Sequence, residues 1–130
     1  MSASRRLGSD SEDQAADYLL AKGFTIVTRR FKAKRGELDL VALDGDQLVF
    51  VEVKQRKEGY VPEESISQAK IDRLYSAARE YVKTAELGDR EFRFDVVAIA
   101  GQQIRHHQDV FRDHVDLTAS PEDRDPEPYD

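Results

Sequence analysis

The stretch RRFKAKRGELDLVALDGDQLVFVEVKQR, residues 29–56, places charged side chains inside two runs that otherwise have the composition of buried strands. ELDLVAL and QLVFVEVKQR are rich in apolar and β-branched residues, and the D-G-D sequence at 44–46 between them is typical of a hairpin turn. The stretch therefore predicts two antiparallel strands, with Asp39 in the first and both Glu52 and Lys54 in the second.

Strand alternation places these charged side chains on one face of the predicted hairpin. Side chains two residues apart in a strand share a face, so Lys54 lies beside Glu52. If residues 44–47 form a four-residue loop, Asp39 falls opposite Glu52, whereas a tighter turn puts Asp39 opposite Phe50 and keeps the same face. Directly opposed side chains have Cβ atoms roughly 4.5–5.5 Å apart, which is close enough for two carboxylates to share a cation.

The remaining elements follow from periodicity and breaker residues. Helical spacing of alanines and leucines predicts a helix from Ser9 to about Lys22, followed by a strand over FTIVTRRF. A second helix is predicted to open at Pro62 and to end near Gly88. FRFDVVAIA is typical of a strand buried on both faces, and a short strand is expected at 103–107. The order α-β-β-β-α-β, with that extra strand, predicts an α/β fold in which helices flank one mixed sheet.

Length and charge indicate one domain with an acidic extension. The chain has 130 residues, 39% of them hydrophobic, and a net charge of −6. Residues 112–130 contain seven acids, two bases and three of the four prolines. We therefore expect a single domain over residues 1–111 and a disordered, solubilising tail over 112–130, with mimicry of DNA charge as the alternative role of the tail.

Composition also narrows the classes of function. The absence of cysteine excludes disulfides and thiolate zinc sites, and the three histidines lack the spacing of a metal site. No apolar run is long enough to span a membrane, and no apolar segment follows the first arginines. We expect a cytoplasmic protein without a membrane role.

The predicted first helix carries a third candidate carboxylate, Glu12. Glu12 stands on the same helical stripe as the apolar residues that should face the core, so three carboxylates, Glu12, Asp39 and Glu52, could converge. Clustered acids that are partly removed from water are costly unless a cation or proton compensates them, and all-oxygen ligation suits Mg²⁺ or Mn²⁺. Two structural alternatives remain open: Ser9-x-x-Glu12 also reads as a capping box, and Asp39, Glu52 and Lys54 could form a cross-strand salt-bridge set.

A dense group of cations precedes the acids. Phosphate is bound mainly by Lys and Arg, so these residues are candidates for nucleic-acid contacts. The alternative is a solvated edge strand that discourages aggregation. The candidate nucleic-acid-binding residues are Arg29, Arg30, Lys32, Lys34, Arg35, Arg56 and Lys57.

Other polar residues receive weaker or structural assignments. Gln55, which follows the E-x-K, and Lys70, on the core-facing side of the long helix, are second-line site candidates. Asp95 is expected to be a structural partner of Arg93 or another nearby cation. The histidine pair at 106–107 has no evident acid/base partner and is left out of the site.

Four motifs in order resemble those of the bacterial YraN-like family: GELDLVA, LVFVEVKQR, the helix beginning near SISQAK, and FRFDVV. That family is described as predicted endonucleases distantly similar to archaeal Holliday junction resolvases, within the PD-(D/E)xK nuclease superfamily. The resemblance spans roughly residues 8–111 and implies a restriction-endonuclease-like core. By it, Asp39 matches the first acid of the superfamily motif, Glu52 and Lys54 match its E-x-K, and Glu12 matches the acid of the first helix.

Three functions of different classes follow. The first is a metal-dependent endonuclease acting on DNA, including branched intermediates, with Mg²⁺ or Mn²⁺ held by Asp39, Glu52 and Glu12; a homodimer is compatible with it. The second is a nucleic-acid-binding module that keeps the fold with little or no catalysis. The third is a protein-interaction adaptor. The intact set of Glu12, Asp39, Glu52 and Lys54 favours the first.

Overall fold

The computed structural model describes residues 10–56 and 66–111, which form two helices and a five-stranded mixed sheet. Strand β3 pairs in parallel with β4, and every other neighbouring pair is antiparallel, in the order β1-β2-β3-β4-β5. This confirms the predicted α/β architecture. The elements are α1 Asp10–Ala21, β1 Thr25–Lys32, β2 Glu37–Asp44, β3 Gln47–Arg56, α2 Gln68–Thr84, β4 Phe92–Ala100 and β5 Gln103–His107.

The two helices cover opposite faces of the sheet. Alternate residues of β3 separate into two apolar clusters: Phe50 packs with α2, whereas Val49 and Val51 pack with α1. Because successive side chains of a strand point to opposite faces, the helices must lie on opposite sides. The α2 face is the one that Glu52 shares with Phe50.

The β2–β3 hairpin sets the register that matters for the acids. Leu43 pairs with Leu48, as the looser of the two predicted registers requires. Asp44 also pairs with Gln47, so the turn itself contains two residues, with Gly45 at φ +61°. That positive φ suits glycine, which lacks a Cβ.

The second helix is shorter than predicted at both ends. It begins at Gln68, because Ser67 is extended and its hydroxyl accepts the N–H of Lys70 at 3.1 Å, which is a typical N-cap. Residues 57–65, including the predicted start at Pro62, lie outside the described residues. At the other end Glu86 adopts φ +57°, and the N–H of Leu87 bonds to the carbonyl of Val82 at 3.0 Å. This Schellman-type closure ends the helix before Gly88 is reached.

The turn between β1 and β2 packs tightly against α2. The N–H of Ala33 bonds to the carbonyl of Gly36 at 2.8 Å, which closes the turn. A Cβ on Gly36 would lie only 2.8 Å from the carbonyl oxygen of Arg73 in α2. Glycine is therefore required here by the close approach of two backbones, and this contact positions the start of β2.

Candidate metal and nucleic-acid site

Glu52 is the most unusual side chain of the site. It lies in β3 with only 4% of its surface exposed, on the face covered by α2. Its Oε2 is 3.3 Å from the Nζ of Lys70, whereas its Oε1 is buried without a hydrogen-bond partner among the described residues. Buried polar atoms are nearly always hydrogen-bonded, so this carboxylate oxygen is an acceptor that a further cation or donor would satisfy.

Asp39 lies beside Glu52 at the point where β2 and β3 separate. The last paired residues of the ladder are Leu40 and Val51, one step before Asp39 and Glu52 would face each other. There the Oδ2 of Asp39 accepts the backbone N–H of Val53 at 2.8 Å. This bond replaces a ladder hydrogen bond and fixes the orientation of the half-buried carboxylate.

The electrostatics of this pair are unfavourable in the absence of a further cation. Burial, followed by the negative charge of Asp39, raises the pKa of Glu52 from its ordinary value of 4.5 to about 7, and Lys70 only partly offsets these effects. The two carboxylates are also close enough to share a hydrogen bond when one is protonated. A proton or a metal ion would relieve the repulsion.

Lys54 and Gln55 follow Glu52 in β3. Lys54 is half-buried and, two residues on, shares the face of Glu52, as predicted. Gln55 is exposed and falls on the alternate face, which gives no support to its second-line assignment. Lys70, the other second-line candidate, contacts the Glu52 carboxylate directly.

Glu12 is ion-paired with Arg30 and, within the described residues, does not form a three-carboxylate group with Asp39 and Glu52, so its assignment as a metal ligand stays a prediction. Its Oε1 accepts the Nε of Arg30 at 2.8 Å. Residues 10–56 and 66–111 contain no group of three or more Asp, Glu, His or Cys side chains that could hold a metal ion. Arg30 compensates the charge of the Glu12 carboxylate instead. The alternative capping box involves Ser9, which lies outside the described residues.

Arg30 interacts electrostatically with Glu12 of α1 and with two acids at the start of β2, Glu37 and Asp39. Its φ of +56° breaks the strand alternation, so that Arg29 and Arg30 both reach acids of α1. The hydrogen bond and charge of Glu12 raise the pKa of Arg30, with smaller contributions from Glu37 and Asp39. Arg30 therefore lies between the α1 acid and the acids at the start of β2.

The predicted basic segment divides into two parts. Arg29 is ion-paired with Asp13 and Arg30 with Glu12, so the charges of both arginines are already partly compensated. The remaining three cations are exposed, and the turn that carries two of them is held to α2. These three are Lys32, Lys34 and Arg35. Arg56 ends β3, its side chain is not described, and Lys57 lies outside the described residues.

A second basic surface, which the sequence analysis did not predict, lies at the far end of α2. A cavity of about 570 Å³ is lined by Arg79, Lys83 and Arg90, with Phe92 among its apolar walls. Neither Asp39 nor Glu52 lines it. The cations are spread over a helix and the loop after it, so sequence spacing alone did not indicate that they would meet.

Asp95 belongs to a separate, structural network. Its fully buried carboxylate accepts Arg93 at 2.9 Å and His106 at 2.8 Å, as well as the backbone N–H of Asp109. Burial alone would raise the pKa of Asp95, but these hydrogen bonds outweigh it and lower that pKa. The predicted Arg93 partnership is thus confirmed. The expectation that His106 lacks a partner was wrong, because the β4–β5 pairing brings His106 opposite Val97 and next to Asp95.

No helix in the described part of the chain is both long and apolar enough to cross a membrane.

The element order and sheet topology define an α/β fold with one helix on each face of a mixed sheet. The structure resembles that of Hjc from Archaeoglobus fulgidus, a Holliday junction resolvase, with a TM-score of 0.54 and 22% sequence identity, over 78% of this chain and 71% of that one. At this identity the likeness establishes the fold.

Sequence comparison then places the chain in a family. The model of the uncharacterised protein family UPF0102, the YraN family, matches residues 11–99. A UPF0102 protein of Sulfurihydrogenibium sp. is 39% identical over 106 residues, covering 80% of this chain and 92% of the relative. One of Rhodococcus opacus is 41% identical over 112 residues, covering 81% and 95%. The chain belongs to the UPF0102 family, which confirms the resemblance noted from its motifs.

Proposed function

We propose that the protein is a divalent-metal-dependent nuclease that hydrolyses phosphodiester bonds of DNA, with branched or recombination intermediates as the preferred substrates. The observation that supports this most directly is the buried Glu52 carboxylate, which has one oxygen without a partner among the described residues and lies beside Asp39. The nuclease-like fold is consistent with the same reaction.

The donor set of Asp39 and Glu52 fits Mg²⁺ or Mn²⁺. Both ions prefer carboxylate oxygens, and a doubly charged ion would compensate two repelling carboxylates at once. When bound, the ion supplies polarisation of the scissile phosphate and a lowered pKa of a coordinated water. Glu12, predicted as a third ligand, could contribute only if Arg30 released it.

The residues of the chain itself would have three roles in this reaction. Asp39, oriented by the N–H of Val53, and Glu52 would hold the cation. Lys54 would donate to the attacking water or to a phosphate oxygen and stabilise the negative charge that develops there. The exposed cations around the β1–β2 turn would bind backbone phosphates without sequence preference.

The test is cleavage of branched, flapped, single-stranded and duplex DNA of matched sequence, with Mg²⁺ or Mn²⁺ and with chelator. Asp39→Ala, Glu52→Ala and Lys54→Ala should each reduce cleavage by on the order of 10²-fold or more. Glu37→Ala, an exposed acid in the same strand as Asp39, is the matched control and should retain activity. Undiminished cleavage in chelator, or normal rates in all three site variants, would contradict the proposal.

A nucleic-acid-binding protein of the same fold without catalysis is the second candidate. The observation that favours it is the ion pair of Glu12 with Arg30, which leaves two carboxylates rather than three for a metal ion. Metal-independent binding of the same DNA molecules, without cleavage of any of them, would support this candidate.

A further inference from the structure

Lys70 occupies a position in α2 that is unfavourable for a cation. It is the third residue after the N-cap Ser67, where a capping box would have glutamate, and the first turn of the helix contains no acidic residue. The partial positive charge at a helix N-terminus repels cations, so local helix energetics do not explain a lysine here.

The contact with Glu52 explains this position. The backbone of Lys70 is held by its N–H bond to the Ser67 hydroxyl at 3.1 Å, and its Nζ lies 3.3 Å from the Oε2 of Glu52. The Lys70 side chain is 40% exposed, whereas that of Glu52 is only 5% exposed. The ammonium group therefore approaches a buried acid from the solvent side and has an open route away from it.

One ammonium group compensates only part of the charge at this site. Glu52 and Asp39 together carry two negative charges when both are ionised, and Glu52 Oε1 still lacks a partner in the described residues. A divalent ion bound to Glu52 would lie within a few ångströms of the ammonium, and like charges at that distance repel.

We propose that Lys70 is an internal cation that holds Glu52 in the metal-free protein and is displaced when a divalent metal binds to Asp39 and Glu52. This inference rests on the metal site of the proposed function. Lys70 thus acts as a positioning residue: it keeps the Glu52 carboxylate in place, and it weakens metal binding by competing for the same oxygens.

The test is Mn²⁺ binding to the full-length protein, measured by calorimetry and by electron paramagnetic resonance of free Mn²⁺, without DNA. Lys70→Met should bind Mn²⁺ more tightly than the wild type, on the order of tenfold, the size expected when a unit charge is removed from a partly exposed site. Lys70→Arg keeps the positive charge and should bind as the wild type does. Lys83→Met, on the same helix but lining the distant cavity, is the matched control and should show no change.

Two further variants keep the test decisive. Lys70→Gln has a similar length and no charge, and it replaces Lys70→Met if the latter does not fold. Asp39→Asn should abolish Mn²⁺ binding whether position 70 carries lysine or an uncharged residue, which places the ion at Asp39.

The possible outcomes separate the two proposals. Tighter Mn²⁺ binding by Lys70→Met or Lys70→Gln, with unchanged binding by Lys70→Arg and Lys83→Met, supports displacement of Lys70 by the metal ion. Equal or weaker binding by them, with a wild type that does bind Mn²⁺, overturns displacement and leaves the proposed metal site intact. No Mn²⁺ binding by the wild type, Lys70→Met or Lys70→Gln overturns the metal site itself, and displacement with it.

Discussion

Glu52 is a buried carboxylate whose charge is only partly compensated. A carboxylate that is removed from water costs free energy unless it is paired and hydrogen-bonded, and a neighbouring carboxylate adds to that cost. Glu52 has one ammonium contact, one adjacent acid and one oxygen without a partner among the described residues. The ionisation of Glu52 should therefore change how the free energy of unfolding depends on pH.

Replacing Glu52 with glutamine should alter that dependence in a defined direction. The folded-state pKa of Glu52 is raised to about 7 from 4.5, so the folded protein binds this proton more tightly than the unfolded chain does. The stability contributed by that proton is complete below the unfolded-state pKa and is lost as the pH rises to about 7. Glu52→Gln should therefore gain roughly 1–3 kcal/mol of unfolding free energy relative to wild type between these limits.

Urea unfolding in chelator at a series of pH values from about 4.5 to 8 measures this difference across the range of the raised pKa. Glu37→Gln, which removes an exposed negative charge from β2, is the control. Parallel stability curves for wild type and Glu52→Gln would show that the folded protein does not hold this proton.

The position of β2 relative to α2 depends on one close backbone contact. Gly36 immediately precedes Glu37, the first residue of β2, and approaches the carbonyl of Arg73. Asp39 lies three residues further along, so the same contact also positions one of the two acids. Interiors packed this closely tolerate added atoms poorly.

Gly36→Ala should separate the turn from the helix. The added methyl group would lie 2.8 Å from a backbone oxygen, which cannot rotate away as a side chain could. We expect a loss of unfolding free energy of roughly 1–3 kcal/mol, the usual cost of overpacking. Chemical denaturation with an unchanged m-value measures it.

Gly88→Ala separates this clash from backbone strain. No atom lies within 4 Å of a Cβ at Gly88, but its φ is +67°, so its cost should be strain alone, about 1–2 kcal/mol. If Gly36→Ala were as stable as wild type, the turn would have to move away from α2 freely, and the contact would not position Asp39.

At the scale of the whole molecule, the negative net charge does not reflect the basic segment at residues 29–35, which we expect to bind DNA. The chain carries −6 overall, yet five cations lie within residues 29–35. Two of these, Arg29 and Arg30, are already paired with acids of α1. A paired cation releases fewer counterions on binding phosphate, so equal numbers of charges should not contribute equally.

Two double variants with the same change in charge test this. Lys32→Gln/Lys34→Gln should weaken DNA binding irrespective of sequence and lower the slope of log K against log salt by up to about 2. Arg29→Gln/Arg30→Gln should lower it less, because these arginines are partly neutralised before DNA arrives. Fluorescence anisotropy of one labelled duplex across a salt series measures both slopes. Equal slopes in the two variants would show that the ion pairs with α1 do not affect DNA binding. Slopes unchanged from wild type in both variants would show that residues 29–35 do not bind DNA and form only a solvated edge strand.

Local pattern was sufficient for most of the fold and for the central pair of the site. Alternation and the D-G-D turn predicted the hairpin and left two registers open, in both of which Asp39 and Glu52 share a face, and the structure shows the looser one. The long helix was predicted to open at Pro62, whereas α2 begins at Gln68 with the side chain of Ser67 as its cap.

The sequence by itself determined the order of the elements, the β2–β3 hairpin and the shared face of Asp39 and Glu52, because these depend on residues close along the chain or on a short turn. Only the tertiary structure decided which face of the sheet each helix covers. That choice pairs Glu12 with Arg30 and brings Lys70 to Glu52, whereas the pairing of β4 with β5 places His106 against Asp95. The first two contacts each join a helix to a strand across 18 positions of the chain, so they depend on the packing of helices against the sheet, which periodicity along the chain does not specify.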